Sequence, residues 1–150
     1  MKEYVKILMQ VAPSFERLEV RLDGMLDKLS VCFGSNTEEV ATAVMHVIDL
    51  KRQLVDLFDA YEYMVNRLTY IERRVLEGRL THVKDQSLAD ELGVSRNTVR
   101  ALRNSALLKC TIALEKLNAR GLNLEDCADV LRLANIHLPA SKVTYVKKTA

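Results

Sequence analysis

Residues 38–77 contain no glycine and no proline. Within that run Val40, Val44, Val47, Lys51, Leu54, Phe58, Tyr61, Val65 and Leu68 recur at alternating steps of four and three. Those steps keep one stripe of a helix turned toward a neighbour, whereas a strand would scatter the same residues over both faces. Lys51 alone interrupts the stripe. The seam therefore predicts a long helix lying lengthwise on another helix. Five glycines and two prolines are too few turn signals for an all-β chain. The expected fold is all-α, with an N-terminal long-helix hairpin.

The seam needs a partner. Residues 2–11 are apolar and predicted helical, and Pro13 suits the first turn of the next helical stretch. There Leu18, Leu22, Leu26 and Leu29 share one face, with Glu16, Arg17, Asp23 and Lys28 opposite. Folding residues 14–30 back onto the seam buries both stripes, which favours an intrachain hairpin; a second copy of the chain is the alternative partner. The stretch CFGSNT, residues 32–37, reads as the turn, and Asn36 with Glu39 matches a capping box. A second capping box, Thr69 with Glu72, ends the long helix near Leu68 and starts a short one, with Ile71, Val75 and Leu76 as its apolar face. Gly78 and the polar RLTHVKDQ are expected to close it. One helix is predicted from residue 96 to about 118, before Gly121. A further short helix follows over 123–134, capped by Asn123 and ended by Pro139, ahead of a loose basic tail. The expected segments are 1–66, a helical hairpin for oligomerisation or interaction; 67–120, a second helical unit; and 121–150, the short helix and tail.

Charge is uneven along the chain. Residues 1–66 carry 7 Lys/Arg and 11 Asp/Glu, a net −4, whereas residues 67–120 carry 11 and 6, a net +5. A basic central unit beside an acidic half suits a polyanion-facing surface. No apolar run is long enough to span a membrane, and the first residues lack a signal-peptide layout. Cys32, Cys110 and Cys127 are odd in number and far apart, which suggests buried small apolar side chains and a reducing cytoplasm rather than disulfides. His46, His82 and His137 have no metal-ligand spacing, and no phosphate-cradling glycine loop is present. Asp56 and Asp59 read as a surface pair on the seam helix. No catalytic residue, metal or cofactor is expected.

The stretch ADELGVSRNTVRAL, residues 89–102, meets a demanding geometric pattern. A helix-turn-helix needs a small residue where its helices cross, a turn residue that accepts positive φ, and apolar residues at the inward positions. In a twenty-residue frame opening at Asp85, Ala89 takes the small position and Gly93 the turn. Leu88, Leu92, Val94, Val99 and Leu102 take the inward positions. The outward positions fall on Ser95, Arg96, Asn97, Arg100, Ala101 and Arg103. Arginine and asparagine read guanine and adenine bidentately. Ser95, Arg96, Asn97 and Arg100 are therefore the candidate base-reading residues. Arg73, Arg74, Arg79, Lys84, Thr98 and Arg103 are the candidate phosphate contacts. Residues 67–120 are therefore expected to form a helix-turn-helix DNA-binding domain after the N-terminal hairpin; the bland alternative is a structural helix pair with a glycine cap.

Residues 68–117 resemble the fourth region of bacterial sigma factors, which opens on a Leu-Thr-acidic-Arg helix and continues through an IAEELGIS-like helix and turn. The counterparts are LTYIERRVLEGRL, SLADELGVS, NTVRALRNSALLK and IALEKL. LuxR-type response regulators share these elements. A chain of 150 residues that places helices before such a reader resembles the small phage and mobile-element regulators of the RinA and ArpU kind. The resemblance implies a sequence-specific transcriptional regulator whose partners are double-stranded DNA and RNA polymerase. LTHVKDQ departs from the sigma pattern and weakens the implied polymerase contact more than the DNA contact. A homodimer through residues 14–66 would double the reading site. Two other functions fit a small helical DNA-binding chain. One is a phage terminase small subunit, which generally has the reverse order of reader and oligomerising helices. The other is a sigma-like module that binds polymerase or another protein.

Overall fold

The computed structural model describes residues 1–31 and 37–139. The elements run α1 (Lys2–Val11), a 3-10 turn (Ala12–Ser14) at Pro13, α2 (Phe15–Ser30), α3 (Thr37–Val65), α4 (Tyr70–Leu80), α5 (Asp85–Leu92), α6 (Arg96–Ala119), a second 3-10 turn (Leu124–Cys127) and α7 (Ala128–Leu133). The fold is all-α, with no strand among the described residues. No helix among them is long and apolar enough to cross a membrane. The capping box expected at Asn36, the thiol of Cys32 and the tail from residue 140 lie outside the described residues.

The hairpin forms within the chain. α2 packs along α3, the most extensive helix–helix contact among the described residues. Leu18 and Leu22 are fully buried, and Leu26 and Leu29 pack against the same core. Phe15 meets Phe58 and Tyr61 edge-on, with ring centroids 5.7 and 5.8 Å apart. Lys51, the polar break in the seam, has an acidic partner: its ammonium lies 2.5 Å from Asp23 on α2. Both side chains are well exposed, so this bridge adds little stability.

A second stripe of α3, offset from the seam, is buried more deeply. It comprises Leu50, Gln53, Leu57, Ala60 and Met64. Gln53 binds the C-terminal segment with both its side chain and its backbone. Its side-chain Oε1 accepts from the Val130 amide at 3.1 Å, and its backbone carbonyl accepts from the Cys127 thiol at 3.6 Å. The main core thus draws on every described helix except α5. It joins Val5 and Leu8 of α1, Leu57 and Met64 of α3, Leu76 of α4, Cys110 and Leu114 of α6, and Leu131 of α7. Burial pushes the Cys110 and Cys127 thiols up to about 12, so both stay protonated and inert.

Two expectations about α4 need correction. Val75 and Leu76 are buried, but Ile71 is 41% exposed and Glu72 points inward in its place. Gly78 does not end the helix, which runs on to Leu80. The chain turns instead at His82, which holds φ at 60° while the Val83 amide bonds the Gly78 carbonyl at 2.8 Å. Gly78 is needed for packing. A Cβ there would stand 2.8 Å from both terminal methyls of the fully buried Leu88.

Candidate nucleic-acid interface

α5, the turn and the start of α6 form a small core of their own. Val75, Leu88, Ala89 and Val99 are its buried centre, and Val83, Leu92, Val94 and Leu102 pack around them. Every apolar position of the helix-turn-helix frame falls in this cluster. Gly93 sits at φ 68°, ψ 33°, the left-handed conformation the turn requires. The Val94 amide closes the turn on the Ala89 carbonyl at 3.0 Å. Ala89 is 1% exposed, so a longer side chain has no room at the crossing.

Ser95 caps α6. Its Oγ accepts from the Thr98 amide at 3.2 Å and shares a 2.9 Å hydrogen bond with the Thr98 hydroxyl. Both side chains thereby fix the start of the helix. Arg96 and Asn97 follow directly, exposed and without an ion pair or side-chain hydrogen bond among the described residues. Arg100, one turn on, is 54% exposed and lies 3.6 Å from Asp85.

The expected phosphate contacts divide. Arg79 and Lys84 are exposed and form no ion pair among the described residues. Arg73 pairs with Glu77 at 2.9 Å and donates to the Tyr61 hydroxyl at 3.1 Å. Arg74 makes a two-pronged contact with Glu91, at 2.8 and 3.1 Å. Arg103 is not on the outer face, contrary to expectation. Its side chain is 8% exposed and ion-paired with Asp85, which ties the first turn of α5 to α6. The hydrogen bond from Arg103, with the Arg100 charge beside it, holds the Asp85 carboxyl below its ordinary value.

A buried network, which periodicity does not reveal, braces the unit from behind. Glu72 completes the capping box with Thr69, at 3.1 and 3.2 Å, and also accepts from Ser105 at 3.1 Å and Lys109 at 2.7 Å on α6. No cluster of three or more His, Cys, Asp or Glu suited to a metal occurs among the described residues. Comparison with protein-family models, curated proteins and solved structures finds no match to this chain.

The crossing makes a stability prediction. Gly78→Val and Ala89→Leu each lower stability by about 1–3 kcal/mol through overpacking. Gly93→Val meets open space, so it loses only about 1–2 kcal/mol to the left-handed backbone. Thermal melts followed by circular dichroism check this. Unchanged midpoints for Gly78→Val and Ala89→Leu would mean that the helices do not approach this closely.

Proposed function

We propose that the protein is a sequence-specific double-stranded DNA-binding regulator of transcription, of the small phage or mobile-element kind. One observation carries the reading. Arg96 and Asn97 stand exposed and uncommitted at the capped N-terminus of α6, directly after the left-handed turn at Gly93. Four of the seven other arginines of the basic segment, Arg73, Arg74, Arg100 and Arg103, are tied to carboxylates, whereas Arg96 and Asn97 have no evident structural task. The Arg96 guanidinium suits donation to guanine O6 and N7, and the Asn97 amide suits donation to adenine N7 with acceptance from its N6 amino group; the start of a recognition helix is where base edges are met. Anisotropy titration of the full chain on a labelled random duplex tests the first half of the claim. Binding is expected to weaken steeply with salt, at a log–log slope of about −0.9 per phosphate neutralised. A flat dependence, or capture of RNA polymerase without duplex binding, would favour a protein-binding module.

A homodimer completes this reading, because one helix-turn-helix contacts few base pairs against genomic competition. The seam of α3 is filled by α2, so pairing falls to the outer face of the hairpin. Val20, Met45, Ile48 and Val55 are 66, 65, 48 and 56% exposed there, and the three on α3 share one side of the helix. Sedimentation of the full chain is expected to give twice the 17.0 kDa chain mass. A monomer at high concentration removes the dimer, and a large ring points to DNA packaging.

A further inference from the structure

Beside the reading helix lies a groove of about 570 Å³ that the acidic balance of the N-terminal segment conceals. Lys2 and Lys6, one turn apart on α1, face Arg79 from α4 and Arg100 and Arg103 from α6 across it, with Asp85 the lone carboxylate. Asp85 is already engaged by Arg103 and Arg100. Lys2, Lys6 and Arg79 are exposed and make no ion pair among the described residues. Arg103, more than nine-tenths buried, keeps an Nε–H with no hydrogen-bond partner among the described residues. That atom is sealed from solvent, so the need for an acceptor from outside the chain comes from Lys2, Lys6 and Arg79, three cations of the groove with no carboxylate partner among the described residues.

The position of the groove indicates which acceptor. Arg96, Arg100 and Asn104 recur every four residues and share one face of α6, and Asn104 lines the groove. Eight residues of helix put Asn104 about 12 Å along the axis from Arg96. The major groove is about 12 Å wide and about 8.5 Å deep, which puts its bordering backbone roughly 10 Å from base edges at the middle of its floor, within side-chain reach of the Asn104 region. We propose that this groove receives backbone phosphates of duplex DNA flanking the bases read by Arg96 and Asn97, with Lys2 and Lys6 supplying two of the contacts. The inference rests on the DNA-binding reading above. It makes α1, the first helix of an acidic segment, part of the DNA surface. Lysine suits the task as a flexible point charge that meets a phosphate without demanding a fixed angle.

Anisotropy titrations on the labelled random duplex over a KCl series test it, using the full chain and Lys2→Gln/Lys6→Gln. The double variant is expected to lower the log–log salt slope by about 1.8, two phosphates' worth. Lys2→Arg/Lys6→Arg is expected to restore the slope, and circular dichroism melts to show all three chains folded. A steep slope that is the same in the wild type and the glutamine variant overturns the inference and leaves the DNA reading standing. A glutamine variant with a reduced slope that arginine does not restore also overturns it, since the loss is then not one of charge. A flat wild-type slope overturns both.

Discussion

Replacing Glu72 with alanine lowers the stability of the fold by about 2–4 kcal/mol, because one carboxylate serves three partners at once. It closes the capping box at Thr69, accepts from Ser105 and pairs with Lys109. The Lys109 side chain is 45% exposed, so the abandoned ammonium finds water and the loss stays below that of a fully buried pair. Glu72→Gln keeps the cap and the shape and loses less. The effect has a pH signature. Burial by itself raises the Glu72 carboxyl above its ordinary 4.5, but the bonds from Lys109, Thr69 and Ser105 outweigh it and hold the value at about 2. The unfolded chain therefore takes up this proton first as acid is added. The stabilisation is whole above about pH 4.5 and drains away as pH falls toward 2. Urea titrations at neutral pH and near pH 3 are expected to show a smaller acid loss in Glu72→Gln than in the wild type. Equal losses would mean that another carboxylate carries the acid sensitivity.

The second large effect is on recognition. On the proposed DNA-binding reading, Arg96→Ala and Asn97→Ala are each expected to remove roughly 1–3 kcal/mol of discrimination at one base pair, with the two losses adding for separate positions. The double variant is then expected to lose about 2–6 kcal/mol of preference for its best site. Its affinity for random duplex falls far less, since phosphate contacts supply that term. Neither side chain braces the fold, so melting temperatures are expected to hold. Competition titrations of preferred against random duplex read the difference directly.

The helix-turn-helix frame was legible because local geometry dictates each position. A left-handed turn selects Gly93, a close crossing selects Ala89, and a capped start selects Ser95. The capping box of Thr69 and Glu72 was legible for the same reason. The inward role of Glu72 toward α6 was not, because Lys109 lies 37 residues away. Arg103 misled in the same way. Its spacing suits the outer face, but its partner Asp85 sits 18 residues back on another helix and draws it inward. The seam on α3 found the stripe that meets α2. It missed the stripe of Leu50, Leu57 and Met64, because that stripe lies beside the seam and widens the apolar face beyond one four-three repeat, leaving Asp49, Arg52, Asp56 and Asp59 outside it. Gly78 read as a stop, and only the approach of Leu88 explains why that position lacks a side chain. Segment charge hid Lys2 and Lys6, whose neighbours in space are the arginines of α4 and α6 rather than the acids around them in sequence.

Selection from a pool of randomised duplexes by the full chain, repeated with Asn97→Ala, tests sequence-specific reading by the start of α6 most directly. The wild type is expected to enrich a short motif, in two copies about one DNA turn apart if the chain pairs. Asn97→Ala is expected to select the same motif with the preference erased at one position, an adenine contact by the chemistry of asparagine. Enrichment of no motif, or of an identical motif by both proteins, would rule out base reading by Asn97.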